Sequence, residues 1–474
     1  MRYKSSLCRL CAAIAFAAAF LIASGQTDGP TSYLDRPLAD SWQNDSNIYR
    51  GTDAPAAEWW RGFGDPMLDS LIAIGERNNY DVGMAARRID IARAAVRQAE
   101  SGYFPQIGVD AGWTRERSSG RTAGRDGQPS TVSYFSAGAT MNWEIDVFGR
   151  IRAQTRRAKA DVKVSAAEYA SAMLALEAEI ATTYITLLVN RAQLEVARRH
   201  SESQLHIVDI TETRHRTGLV SKLDIAQART RYYSTIASIP LLEASIEASY
   251  NSLGVLLGTG RDSLPADIYA ERPLPRYSLP PAAGVPADLL RRRPDIIEAE
   301  RNIDAAAAQL GIARSEYLPS LSISASAGTA AHNAGDLFSG ASFTYSISPT
   351  LSWTLFDGFA KRAASLSARE NMRLQVDAYN MTVITAVEEV RNAMTRYTAT
   401  LKYIDSTEKV VENSRESVRL SLDQYKQGLS DFYNLVEAQL NYLSYQNSLV
   451  AAQGNALTDL VDLYKDLGGG YPIQ

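Results

Sequence analysis

The chain has 474 residues, 45% hydrophobic and 22% charged, with a formal net charge of −4 and two cysteines. Such a composition is not that of a disordered chain, and it supplies enough apolar residues for a sizeable core. Both cysteines, Cys8 and Cys11, fall in the first 25 residues, which argues against a disulfide framework or thiolate metal site, and the acidic balance argues against a nucleic-acid partner.

The first elements read as a secretory signal over 1–25. Arg2, Lys4 and Arg9 precede an apolar run from Cys11 to Ala23, and the small residues Ala23, Ser24 and Gly25 close it. The mature chain then starts at Gln26. No uninterrupted run of eighteen apolar residues follows, so a membrane crossing would have to be made with strands. Residues 26–64 are expected to join a small body at mid-height of the molecule.

From residue 65 onward the chain compares with itself at a spacing of about 210 residues, which predicts a duplicated half over 65–258 and 287–467. Each half opens with a helix ending at a proline. "RRIDIARAAVRQAESGYFP" at 87–105 matches "RNIDAAAAQLGIARSEYLP" at 301–319 through Ile89, Asp90, Tyr103 and Pro105 against Ile303, Asp304, Tyr317 and Pro319.

Two alternating segments follow in each half, a hairpin over 103–147 and another over 317–356. Ile107, Val109, Ala111 and Trp113, then Phe135 to Ile145 at every second position, are apolar in the first. Leu321 to Ala327, then Phe343, Tyr345, Ile347, Leu351, Trp353 and Leu355, repeat the pattern in the second. A period of two predicts strands with one apolar face and one small or polar face. Such a strand suits a barrel wall with lipid outside and water inside, or a half-buried sheet of a soluble protein.

Helical hairpins are predicted over 150–257 and 358–467. Tyr169, Met173, Leu176, Ile180, Tyr184, Leu187 and Leu194 recur at threes and fours, and Tyr379 to Ile404 repeat them. The outgoing arms would run roughly 100 Å at 1.5 Å per residue. Pro240 is expected to bend the first returning arm. The matched turns "RTGLVSKLDIAQAR" and "KQGLSDFYNLVEAQ" place Gly218 and Gly428 as helix C-caps, followed by Leu219 and Leu429. Between the halves, 259–286 is Pro-rich and reads as a linker in the mid-height body; 468–474 is a short tail.

Enzyme chemistry finds no motif. The chain lacks a Gly-Lys phosphate loop, and His200, His206, His215 and His332 form no metal-ligand pair, so no cofactor, metal or catalytic residue is expected. "RRRPD" at 291–295 reads as a structural ion pair at a helix start.

Four strands do not close a barrel, and a trimer would supply twelve. Trp113, Trp143 and Trp353 would then form an aromatic girdle. At this point the chain resembles the TolC-like outer membrane factors, in the NodT and OprM-like efflux lipoprotein branch. "EWWRGFGDPMLDSLI", "WEIDVFGRIR", "TGLVSKLDIAQAR", "IPLLEASIEASYNSLGVLLG", "LSWTLFDG" and, most specifically, "ADLLRRRPDI" carry the resemblance over nearly all of the mature chain.

The resemblance implies an α+β membrane protein: a homotrimer with a twelve-stranded outer-membrane barrel, a long helical tunnel into the periplasm and a small mixed equatorial domain. Its implied role is an exit duct for small molecules, fed by an inner-membrane transporter of the resistance-nodulation-division (RND) type through a periplasmic adaptor that meets Gly218, Leu219, Gly428 and Leu429. By position it places the periplasmic gate at Glu437 and Asn434, with Asp224 in the first repeat. Tyr425 is assigned either a bond to a neighbouring hairpin that locks the closed form or simple packing in the seam. Lipidated members carry Cys after the signal; Gln26 stands there, so acylation is not expected. An exit channel for protein secretion shares this fold, and a soluble periplasmic coiled-coil scaffold shares the hairpins.

Overall fold

A computed structural model describes residues 33–35, 37–39, 41–42, 57–119, 121, 129–275, 277, 281, 284 and 286–469. The expected signal peptide, Gln26 and the end of the tail lie outside the described residues. The chain divides into two units, Met1–Leu38 and Ala39–Gln474. Described residues of the first contain neither helix nor strand; all that follows concerns the second.

Strands β1 (Gln106–Arg117), β2 (Thr131–Ile145), β3 (Ser320–Ala331) and β4 (Phe343–Ser352) form one antiparallel sheet in that order. Every register joins odd-numbered residues to odd-numbered ones, as in Trp113 with Phe135, Trp143 with Ile323 and Leu321 with Leu351. Successive side chains alternate sides, so one face collects nearly all the apolar side chains of four strands. In the single chain that face is bare, with Val109 83%, Tyr345 74% and Ile347 70% exposed. The opposite face is lined by small and polar side chains that bond across strands, Ser324 Oγ to Asn142 Oδ1 at 3.0 Å and Ser326 to Ser346 at 2.8 Å. β1 and β4 are open edges.

β4 stops at Ser352, so Trp353 and Leu355 fall beyond it. The chain is there already turning into its helix: Asp357 Oδ2 accepts the N–H of Lys361 at 3.0 Å, and Trp353 Nε1 donates to the carbonyl of Tyr317 at 2.9 Å. The first repeat is built alike. Trp143 Nε1 donates to Tyr103 O at 2.9 Å, and Asp146 accepts the N–H groups of Ile151 and Arg152, both at 3.0 Å. These carboxylates satisfy helix-start donors that otherwise have no partner.

Apart from a single turn at Leu289–Arg292, the α-helices among the described residues are α1 (Pro66–Asn78), α2 (Tyr80–Glu100), α3 (Arg150–Arg216), α4 (Lys222–Leu256), α5 (Pro294–Ser315), α6 (Ala360–Gln427) and α7 (Phe432–Asp466). α3 and α6 have 67 and 68 residues, about 100 Å each at 1.5 Å per residue. Their sheet-proximal parts pack with α2 and α5, and their distal parts with α4 and α7, so four helices stand side by side at either level. Pro240 lies inside the continuous α4. One 18-residue stretch of α3 is apolar enough to cross a membrane, although no uninterrupted apolar run marks it in the sequence. Most of that stretch is buried, with Ile180, Leu187 and Leu188 at most 1% exposed, so it is core.

At mid-height the "EWWRGFGD" segment is pinned to both repeats. Trp59 stacks on Tyr464 at 5.6 Å, Phe63 meets Tyr277 edge-on at 5.2 Å, and Tyr277 and Tyr464 share a 2.5 Å hydroxyl contact. Asp65 caps α1, accepting the N–H of Met67 at 2.9 Å, and also receives the Tyr184 hydroxyl at 2.8 Å. Desolvation and that bond raise the Tyr184 pKa. Arg191 of α3 holds the linker through Ala270 O at 2.9 Å and Ile268 O at 2.7 Å. Among the described residues this layer is built of short 3-10 turns and coil rather than strands.

Candidate channel gate and docking tip

Both hairpins turn at the end far from the sheet, and they turn the same way. Gly218 (φ 73°) donates to His215 O at 2.9 Å and Leu219 to Arg214 O at 2.9 Å; Gly428 (φ 74°) donates to Tyr425 O at 3.0 Å and Leu429 to Gln424 O at 2.9 Å. A left-handed residue is needed to fold the last carbonyls back in this way, and glycine adopts it without steric cost. The following leucine usually packs on its own helix in this motif. Here Leu219 and Leu429 project instead, 67% and 74% exposed.

The returning helices start differently. Ser221 Oγ accepts the N–H of Asp224 at 3.3 Å while Asp224 Oδ2 accepts the N–H of Ser221 at 3.0 Å, a closed capping box. Asp431, at the matching position before α7, makes no such side-chain bond. One carboxylate oxygen of Asp224 thus serves its own helix start. Asn434 and Glu437 are exposed one turn apart on α7, away from buried Leu435 and Val436. Asn434 Nδ2 donates to Ser430 Oγ at 3.0 Å.

Tyr425 is 2% exposed, inside a cluster with Ile207, Val208, Ala228, Phe432 and Leu435. Its ring lies 5.3 Å from that of Phe432, and its hydroxyl has no hydrogen-bond partner among the described residues. Arg214, which sequence reasoning did not single out, closes the cluster: it donates through Nη1 to Tyr425 O, and its guanidinium carbon lies 4.5 Å from the centre of the Tyr425 ring. One available signal was the mismatch in the repeat, where the position matching Arg214 is Gln424.

Polar contacts continue up the seam between α3 and α7. His200, 8% exposed, shares a 2.6 Å contact with Gln446, which donates to the Tyr442 hydroxyl at 2.8 Å. Burial lowers the His200 pKa, and the Gln446 bond partly opposes it. Higher still, Arg293 of the "RRRPD" run is 8% exposed and pairs with Asp295 and with Glu389, both at 2.7 Å, while donating to Asp466 O at 3.0 Å. The run therefore ties α5, α6 and the end of α7 together as an ion-pair network.

The three tryptophans mark the two ends of the sheet. Trp113 stands near the hairpin loop, 57% exposed, while Trp143 and Trp353 stand at the helix end, Trp353 51% exposed.

The family model for outer membrane efflux proteins matches residues 72–259 and 285–469. A Pseudomonas putida KT2440 protein named probable efflux pump outer membrane protein TtgC is 30% identical, over 93% of this chain and 91% of that one. Nodulation protein T of Rhizobium leguminosarum bv. trifolii is 28% identical, over 95% and 96% respectively. The solved structure of the outer-membrane channel OprN superposes with a TM-score of 0.87 at 28% identity, over 93% of this chain and 99% of that chain. With both halves matched and the TolC-like channel fold reproduced, the chain belongs to the outer membrane efflux protein family.

Proposed function

We propose that this chain is the exit duct of a tripartite efflux system, working as a homotrimer that receives small molecules from an RND-type inner-membrane transporter through a periplasmic adaptor. The sheet carries the argument. Its odd-numbered face is apolar and bare, and its edges β1 and β4 are unpaired. In a bilayer an unpaired edge leaves backbone groups unsatisfied, so such a sheet must close with other copies. Three copies give a twelve-stranded barrel, with the Ser- and Thr-rich face lining water. The same threefold repetition places twelve helices around the tunnel at each level.

Substrate passage needs no chemistry on this chain. At the tip, Glu437 from three copies would form one ring of negative charge, with Asn434 one turn nearer the end. Like charges brought close raise the cost of ionisation unless cations neutralise them, so the ring favours cations and narrows the closed end. Projecting Leu219 and Leu429 present apolar knobs on rigid, Gly-capped turns, the kind of anchor that a coiled-coil adaptor can enclose. Replacing Gly218 and Gly428 together by Val tests the docking: co-purification of the cognate adaptor with the trimer should fall, and undiminished recovery would overturn it.

A further inference from the structure

We infer that the outer face of α3, just below the sheet, is a binding site for the phosphate headgroup of an anionic phospholipid of the periplasmic leaflet; this rests on the outer-membrane reading above. The two faces of α3 separate by helical spacing. Arg150 pairs with Glu144, an even-numbered residue on the polar face of the sheet, and Arg157 and Asp161 continue that side in steps of seven and four. Arg152, Arg156, Lys159 and Lys163, spaced by four, three and four, lie on the opposite side, away from the lumen.

Between that stripe and α5 runs a groove of about 380 Å³, floored by Ala153, Ala160, Ala307, Ala308 and Gly311 and flanked by Arg156 and Lys163. Arg314 follows Gly311 by one turn on the same side and is exposed. Arg152 and Lys159 are partly neutralised by Asp146 and Glu100, and Asp304 in the groove wall is held by Arg301 at 2.9 Å. Arg156, Lys163 and Arg314 make no side-chain bond or ion pair among the described residues. A floor of small side chains leaves room for a headgroup rather than a single ion.

Height selects the partner. Trp143 and Trp353 mark the boundary at which the apolar face ends, and α3 begins there. Arg152 and Arg156 lie about 3 and 9 Å down the helix from Arg150, within or at the edge of a headgroup layer roughly 5 to 8 Å deep. A carboxylate of the cell-wall polymer would meet the stripe only farther down. Basic residues at a membrane surface each contribute about fivefold to anionic-lipid binding.

The test is native mass spectrometry of the full trimer in detergent with added phosphatidylglycerol or phosphatidylethanolamine. Phosphatidylglycerol should be retained preferentially, and Arg156→Gln and Arg314→Gln should each cut retention about fivefold, with Lys163→Gln, about 20 Å below Arg150 along the helix, and Arg157→Gln on the lumenal side inert. Equal retention of both lipids, or no loss in the Arg156→Gln, Arg314→Gln double variant while the trimer mass is intact, would overturn the lipid site and leave the channel reading standing. A photo-crosslinker at Ala308 gives an independent reading: an adduct of phospholipid mass supports the site, and an adduct with a cell-wall fragment or with a peptide of this chain refutes it.

Discussion

Arg214, in the last turn of α3, donates to the backbone carbonyl of Tyr425, in the last turn of α6, and covers its ring at 4.5 Å. One side chain thereby joins the two hairpins at the tip and caps a helix C-terminus, where a cation is favoured.

Arg214→Ala should loosen the tip alone. Losing a charged hydrogen bond and a ring contact costs about 2 to 4 kcal/mol of local stability. Amide exchange should accelerate around residues 205–216 and 420–432 while the mid-height layer stays protected. Unchanged exchange at the tip would show that the hairpins are held by other contacts.

Tyr425 distinguishes its two assigned roles by its hydroxyl. That group is buried and unpartnered among the described residues, so Tyr425→Phe should leave stability unchanged or slightly raised, whereas Tyr425→Ala should cost about 3 to 5 kcal/mol through the lost ring. If Tyr425→Phe in the trimer instead raises single-channel conductance as strongly as Tyr425→Ala does, the hydroxyl bonds to a neighbouring copy.

Glu437→Ala should enlarge the ion conductance of the closed channel and lower its cation selectivity, and Asn434→Asp should raise that selectivity by adding a second ring of charge. Planar-bilayer recordings of the purified trimer measure both. Unaltered conductance and selectivity in Glu437→Ala would place the constriction elsewhere.

Asp466 makes stability depend on pH. Burial, with the neighbouring Glu389 carboxylate adding and Arg293 opposing, raises its pKa from 3.8 to about 6. The native state therefore holds the proton more tightly than the unfolded chain, and stability is lost as pH rises through about 4 to 6. Asp466→Asn should stabilise the protein at pH 7.5 by on the order of 2 kcal/mol and have little effect below pH 4. Thermal unfolding at the two pH values decides it; an equal shift at both would mean that the carboxyl charge is not the cause.

Gly328 faces Gly138 across β2 and β3, and a Cβ there would meet Ala137 O at 2.7 Å. Gly328→Val should impair barrel assembly, read as loss of the trimer band on a non-denaturing gel. A full yield of trimer would show that the strands separate to admit the side chain.

The strands were legible because alternation is a local property, and the odd-numbered registers preserve it through all four. The repeat carried the rest of the architecture: Trp143 and Trp353, Gly218 and Gly428, and the paired elbows at Asp146 and Asp357 each occur twice. What the sequence hid depends on which long helices stand side by side. Arg214 with Tyr425 and His200 with Gln446 are separated by 211 and 246 residues, and no spacing rule links them. Asp224 illustrates a different gap, since an acidic residue three after Ser221 could equally cap a helix or project into a lumen; the capping box uses it for the former within the chain.

Electron microscopy of the mature protein extracted in detergent, with mass measured on the same particles, tests the central claim most directly. The account predicts a threefold particle about 130 Å long with the detergent belt at the strand end, from some 100 Å of helix plus the barrel. A monomer that stays in solution without detergent would contradict it, because the apolar face of the sheet would then have to pack against protein rather than lipid.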